Sequence, residues 1–131
     1  MNCCWKRKNG KIDQKIPAMP QKTLDWETFQ QVEIKVGTII EALSFPNARR
    51  PAYRLKIDFG PIGVLKSSAQ ITAHYSPENL VGKQVVAVVN FPPKQIANYI
   101  SECLVLGAYA EDGSVILLTP DRPVSNGANI G

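Results

Sequence analysis

Side chains suited to binding crowd the segment around two consecutive prolines, Pro92 and Pro93. Asn90 precedes the prolines and Lys94 follows them, so both are expected at a junction between a strand and a loop. Proline lacks a backbone N–H and fixes φ, so the apolar strand must end there and the following segment cannot be regular. Large apolar residues lie beside the polar pair: Phe91, Ile96, Tyr99 and Ile100. This combination predicts a binding surface rather than a reaction centre.

The four apolar residues of this segment predict a peptide-binding surface. Unfolded polypeptide would dock on an apolar patch, and patches above a few hundred Å² are seldom left exposed without a partner. An interface between two copies of the chain would hide the same groups. The sequence leaves both interpretations open, and both hold if dimerisation builds the groove.

Basic residues form a candidate nucleic-acid-binding surface, which comprises Arg49, Arg50, Arg54, Lys56 and Lys66. Arg54 and Lys56 lie two residues apart on a predicted strand and therefore face the same side. If Lys66 lies on the neighbouring strand, three charges meet one phosphate backbone, and affinity would fall steeply with salt as counterions are released. The alternative is a solvated strand face whose charges pair with Asp58 and nearby acids.

Enzymatic chemistry is not indicated, and no catalytic residue is predicted. His74 is the only histidine, no cysteine or carboxylate lies beside it at metal-ligand spacing, and it has no evident acid–base partner. Cys103 lies in an apolar stretch read as a strand, where it is expected to pack as a small hydrophobic residue. We therefore predict no metal, no cofactor and no small-molecule substrate.

The net charge of +4 is distributed unevenly along the 131 residues. Residues 1–22 hold six basic residues and one acidic residue, whereas the remaining chain holds nine basic and ten acidic residues. The first segment is therefore predicted to be a disordered basic extension, and residues 23–131 a single domain. No apolar run is long enough to span a bilayer, no secretory signal is recognisable and no disulfide framework is suggested, so a cytoplasmic location is expected.

The periodicity of the chain predicts an all-β domain. A short helix is expected from a cap at Thr23 or Asp25 to about Gln31, and a single helical turn is expected near Ser76. Strands are predicted over 32–43, with an interruption at Gly37, and over 53–59, 64–68, 84–91, 102–110 and 115–119. This pattern favours a five-stranded Greek-key barrel of the OB type with short extra C-terminal elements, and a small β-sandwich is the alternative.

Several separated motifs resemble the tRNA-binding-domain family. They are Val36–Ile39, Phe45–Ala48, Ser76–Lys83, and Asn90–Ile96 followed by Ser101-Glu102. The resemblance implies an OB-fold module that occurs as a free dimeric protein or attached to aminoacyl-tRNA synthetases. The forms of Asn90–Gln95 and Lys66–Thr72 look like a branch of this family described as protein-secretion chaperones.

The resemblance also implies that four residues face the ligand: Asn90, Lys94, Ser101 and Glu102. Ser67 adds a further hydrogen-bonding group and completes the predicted nucleic-acid-binding set. A structural role is an equally natural interpretation of the serine and asparagine residues, because such side chains near strand ends often bond to the backbone.

The predicted function is the chaperone-like capture of unfolded or export-bound polypeptides near the Pro92-Pro93 segment. The alternative is the binding of tRNA or other single-stranded RNA on the basic barrel face. A homodimer is expected, partly from the resemblance and partly because the irregular stretch 120–131 is too short to cover an edge strand alone.

Overall fold

A short helix, α1 (Trp26–Gln30), lies near the start of the part that this computed structural model describes, residues 23–131. Asp25 caps it, because its Oδ1 accepts a hydrogen bond from the Thr28 N–H at 2.8 Å. Hydrogen bonds from the side chain and backbone of Thr28 also lower the pKa of Asp25. The predicted capped helix is confirmed, whereas the predicted extension 1–22 lies outside the described residues.

The main sheet is antiparallel and has five strands: β1 (Ile34–Ser44), β2 (Tyr53–Asp58), β3 (Val64–Ala69), β4 (Gln84–Val88) and β7 (Leu104–Val105). Their order across the sheet is β3-β2-β1-β4-β7. The first half of β1 pairs with β4 and its second half pairs with β2, so this long strand joins both sides of the sheet. The prediction of a five-stranded OB-type barrel is confirmed.

The core is built on alternation along β2. Leu55 and Ile57, with Phe59 just beyond the strand, have no exposed surface, because every second side chain of a strand points to the same face. Gly37 of β1 is buried beside Ile57 and Phe59 and leaves room for their side chains. The irregularity expected at this glycine lies further along, between Ile39 and Glu41, where the register with β2 shifts.

Several predicted elements need correction. The segment after the two prolines is regular, because β5 (Lys94–Ile96) and β6 (Tyr99–Ser101) form a hairpin with its own pairing. The strand predicted over 84–91 ends at Val88, before the prolines. The stretch 102–110 divides, because Leu104–Val105 pairs with β4 whereas β8 (Gly107–Tyr109) pairs with β9 (Val115–Leu117). Cys103 consequently lies in a bend rather than in a strand.

A second short helix, α2 (Pro77–Leu80), confirms the predicted helical turn. The side chain of Asn79 accepts a hydrogen bond from the Ser76 N–H at 3.1 Å, which closes a capping box. Leu80 from this helix is fully buried in the core. No helix among residues 23–131 has the length and apolarity needed to cross a membrane.

The C-terminal segment covers the free edge at the start of β1. The Val36 N–H donates to the Ala128 carbonyl at 3.0 Å, and the Gly127 N–H donates to the Val36 carbonyl at 2.7 Å. Thr38 Oγ1 also donates to Asn126 Oδ1 at 2.7 Å. The expectation that this stretch leaves an edge strand uncovered is therefore wrong, because a few backbone bonds suffice for a short edge. This edge gives no argument for a dimer.

Candidate binding groove

Two adjoining hollows lie beside the β5–β6 hairpin, and together they form what we call the binding groove. The first hollow has a volume of about 670 Å³, and the cationic side chains that line it belong to Arg49, Arg50 and Lys94. The second has a volume of about 400 Å³, and its apolar lining includes Phe91, Pro92, Ile96 and Leu104. The hollows share Ser68, Gln70, Lys94 and Ile96 as lining residues. The groove thus joins a basic half to an apolar half.

The four predicted peptide-binding residues do not form one patch. Phe91 and Ile96 line the second hollow, and Phe91 is 54% exposed. Ile96 pairs with Tyr99 and Gln95 pairs with Ile100, so Ile100 faces the opposite side of the hairpin from Ile96 and Tyr99. Leu104 is the apolar residue that the sequence did not single out, since it lies in a run that reads as one buried strand.

Tyr99 belongs with the basic residues rather than with the apolar half of the groove. Its hydroxyl donates a hydrogen bond to the Leu55 carbonyl at 3.0 Å, and its ring packs edge-on against Phe45 at a centroid distance of 5.6 Å. Lys66 Nζ lies 5.2 Å and Arg54 Cζ lies 5.8 Å from the centre of the Tyr99 ring. Burial raises the pKa of Tyr99, and the nearby Arg54 guanidinium opposes that shift.

The predicted basic face exists on β2 and β3, although it does not include every predicted cation. Lys56 and Lys66 are direct cross-strand partners, so they share a face with Arg54. Lys56 lies 3.9 Å from Glu41, whereas Asp58 accepts a hydrogen bond from the Gly60 N–H instead of pairing with a lysine. The remaining predicted cations, Arg49, Arg50 and Lys94, line the first hollow of the groove.

Three of the predicted polar ligand residues close the barrel along β3, and we call this set of contacts the seam. Glu102 Oε1 accepts from the Lys66 N–H at 2.9 Å, and the Glu102 N–H donates to the Lys66 carbonyl at 2.7 Å. Ser101 Oγ accepts from the Ser68 N–H at 3.2 Å. Ser67, which is 1% exposed, donates its hydroxyl proton to the Cys103 carbonyl at 3.0 Å. The seam satisfies backbone groups that would otherwise be unpaired at this strand edge.

Asn90 also has a structural contact, because its Oδ1 accepts a hydrogen bond from the Glu33 N–H at 3.0 Å. This bond joins the end of β4 to the residue that precedes β1. The side chains of Asn90 and of the seam residues thus form hydrogen bonds to backbone groups of the same domain. A role for these four residues in ligand binding stays a prediction.

Cys103 packs in the core, as predicted, and is 5% exposed. Burial in apolar surroundings raises the pKa of its thiol from an ordinary value of 9.0 to about 12. The raised pKa means that the folded chain keeps this proton at a pH at which the unfolded chain loses it. The stabilisation is therefore fully present below pH 9 and is lost as the pH rises towards 12.

We therefore expect the free energy of unfolding to fall between pH 9 and pH 12 by up to about 1.4 kcal/mol per pH unit from this thiol. Denaturant titrations of the full chain and of Cys103→Ala across this range measure the contribution as the difference in slope. Other groups that titrate in this range cancel in the comparison. Parallel pH profiles for the two proteins would contradict the assignment.

His74 has hydrogen-bonding partners that the sequence did not reveal, but the direction of these hydrogen bonds does not support catalysis. Ser114 Oγ donates to Asp112 Oδ1 at 2.6 Å and lies 2.7 Å from His74 Nε2. Because the only hydroxyl proton is directed to Asp112, His74 must act as the donor and cannot deprotonate the serine. Among residues 23–131, no group of three or more His, Cys, Asp or Glu side chains is arranged to hold a metal ion.

Comparisons with known proteins agree on the domain type. Residues 34–129 match the family described as "Putative tRNA binding domain". A Methionine--tRNA ligase of Bacteroides fragilis is 34% identical over 107 residues, which is 82% of this chain and 16% of the ligase. A Methionine--tRNA ligase of Parabacteroides distasonis is 31% identical over 110 residues, which is 84% of this chain and 16% of the ligase. The chain thus spans only a small part of these ligases.

Two solved structures resemble this chain over their full length. The chaperone CsaA from Bacillus anthracis is 49% identical with a TM-score of 0.80, and the match covers 84% of this chain and all of that one. The CsaA chaperone protein from Picrophilus torridus is 52% identical with a TM-score of 0.78, and the match covers 83% of this chain and all of that one. The predicted likeness to the chaperone branch is confirmed. The chain belongs to the tRNA-binding-domain family.

Proposed function

We propose that this protein is a CsaA-like chaperone that captures unfolded or pre-export polypeptides in the binding groove. The observation that carries the proposal is that an apolar hollow and a basic hollow adjoin each other beside one hairpin and share lining residues. An unfolded chain presents apolar and charged side chains within a few residues of one another, so a groove with both characters suits it. The two solved relatives at about half identity are called chaperones, which supports this choice.

The apolar half of the groove would supply a modest part of the binding energy. Phe91 is half-exposed beside Ile96 and Leu104, so a client side chain placed there would remove apolar surface from water. Burying on the order of 100 Å² of apolar surface is worth about 2.5 kcal/mol. Binding of that strength is reversible, as the release of a client for folding or export requires.

RNA binding is the second candidate, and the arrangement around Tyr99 favours it. Two cationic side chains, Arg54 and Lys66, lie within 6 Å of the same aromatic ring. Within the described residues, neither cation forms an ion pair. Two neighbouring phosphates of an RNA backbone would neutralise these charges, and the description of the matching family names tRNA binding.

One titration of the full chain tests both candidates, with a reduced unfolded protein and with tRNA as the ligands. We expect Phe91→Ala to weaken binding of the unfolded protein about tenfold, which corresponds to about 1.4 kcal/mol. Ile62→Ala is the matched control, because Ile62 is an exposed apolar residue that does not line the groove. Unchanged client affinity in Phe91→Ala would contradict the groove as the capture site.

The RNA arm of the titration is read from its salt dependence. If Arg54 and Lys66 contact phosphates, each alanine variant should reduce the slope of log affinity against log salt by about 1. Replacing Arg7 and Lys8 by alanine measures how much these two of the six N-terminal cations contribute. Equal slopes for the wild-type chain and both β-strand variants would exclude the basic face as an RNA site.

We also propose that the chain assembles as a homodimer, acts in the cytoplasm and assists protein export. These proposals rest on the likeness to the CsaA chaperones and to the family that the sequence resembles. We propose no catalytic activity, because the family that matches is a binding domain.

A further inference from the structure

We propose that the binding groove holds its client by strand addition, with an extended acidic segment of the client pairing with the outer edge of β5. This inference rests on the proposed capture of unfolded polypeptides and specifies how the groove recognises them. Strand addition gains affinity from main-chain hydrogen bonds, which every polypeptide can make whatever its sequence. It would therefore explain how one small groove accepts many different clients.

The position of β5 makes this edge available. β5 and β6 form a two-stranded sheet of their own, so within the described residues β5 has β6 as its only strand neighbour. Residues 94–97, which comprise β5 and the first turn residue, line the first hollow, whereas no residue of β6 does. β5 therefore borders this hollow along its whole length. The other lining residues are Ala48, Arg49, Arg50 and Ala52 from the loop between β1 and β2, together with Ser68 of β3 and Gln70 just after it.

The hairpin register identifies the backbone groups of β5 that point away from β6. Ala97 and Asn98 form a two-residue turn, with Ala97 at a φ of 53°, so the flanking pair Ile96 and Tyr99 exchanges both backbone hydrogen bonds. The bonding direction alternates along a strand, so the N–H and C=O of Gln95 point to the outer edge. The Gln95 side chain donates to the Ala97 carbonyl in the turn at 3.0 Å.

Charge complementarity selects the client segment. The first hollow carries three cations, Arg49, Arg50 and Lys94, and none of its lining residues is acidic. In a paired client strand every second side chain would point into the hollow. Glutamate or aspartate at those positions would meet the cations. The carboxylate of Glu102, which lines the second hollow, is held by the Lys66 N–H in the seam.

The same edge is protected against uncontrolled pairing. β5 has only three residues, it follows Pro93, which has no N–H to donate, and it begins with Lys94. Short strands, prolines and lysines are the usual means by which exposed edges avoid aggregation. The edge can thus pair with one short client segment and release it, without acting as a template for longer sheets.

A scan of backbone methylation tests the proposal with the full chain. The probe is a fluorescent peptide of alternating glutamate and valine with one phenylalanine that fixes its register in the apolar hollow. Methylating one amide nitrogen at a time removes a donor from the peptide and leaves the protein unchanged. Strand addition predicts a loss of about three- to tenfold at the one position whose N–H meets the Gln95 carbonyl, and little loss at the two neighbouring positions, because their N–H groups point away from the partner.

Charge variants supply the second measurement. Replacing glutamate by lysine in the probe should weaken binding at least about tenfold, and Arg50→Glu in the protein should reduce that preference. Equal losses at every methylated position, no losses, or failure of the probe to bind while unfolded protein still binds would each overturn strand addition and leave capture intact. Failure of both the probe and the unfolded protein to bind would instead overturn the proposed function.

Discussion

Replacing Gly37 with alanine should lower the free energy of unfolding by about 1–3 kcal/mol. A Cβ atom at this position would lie 2.6 Å from Ile57 Cγ2 and 2.7 Å from Phe59 Cδ1. Both side chains are fully buried, so neither can move aside without disturbing its neighbours. Chemical denaturation of the full chain, followed by circular dichroism, measures the change.

The matched control for this variant is the double variant Gly37→Ala with Phe59→Leu. Leucine removes the ring edge that the new methyl group would meet, so the two changes should destabilise the protein by less than the sum of their separate effects. Strict additivity would show that the strands separate to accept the methyl group, and that Gly37 does not set the distance between β1 and β2.

Replacing Glu102 with alanine should cost about 1.5–3 kcal/mol, the range for a hydrogen bond to a charged group. The Lys66 N–H would lose its acceptor at 2.9 Å, and β3 would be left with an unsatisfied donor in a partly buried position. A single domain has a total stability of about 5–15 kcal/mol, so the seam would account for a sizeable part of it. Denaturant titration of the full chain provides the measurement.

Glu102→Gln separates the acceptor from the charge. Glutamine keeps an oxygen at the same reach, so this variant should retain most of the stability that alanine loses. Wild-type stability in Glu102→Ala would show that the seam is not held by this side chain. Glu102 joins the end of the hairpin to β3, and Tyr99 joins the hairpin to β2 through the Leu55 carbonyl. The Glu102 variants therefore test one of these two contacts between the hairpin and the barrel.

The two ligand hypotheses divide the predicted residues in a way that the sequence did not anticipate. Arg49, Arg50 and Lys94 were predicted to bind nucleic acid, but they line the groove that we propose for polypeptide. Tyr99 was predicted to bind peptide, but it lies with Arg54 and Lys66 on the basic face. Single substitutions at these positions therefore discriminate between the ligands better than the original grouping does.

The sequence alone was sufficient to predict the family, the barrel fold and many of the core residues. Alternation along Tyr53, Leu55, Ile57 and Phe59 predicted β2 and its buried face, because side-chain direction in a strand repeats every two residues whatever its partner. The Pro92-Pro93 pair correctly indicated that a strand ends before this segment, although β4 already ends at Val88 rather than at residue 91. Motifs spread over the chain correctly indicated the domain family.

The tertiary structure decided what the polar side chains do. Lys66 and Glu102 are 36 residues apart, and Glu33 and Asn90 are 57 residues apart, yet each pair is joined by a hydrogen bond. The β5–β6 hairpin and the edge covering by residues 126–130 likewise depend on their partners in space. Alternation is a local property that can be read along the chain, whereas the partner of a hydrogen-bonding group is determined only when distant segments meet.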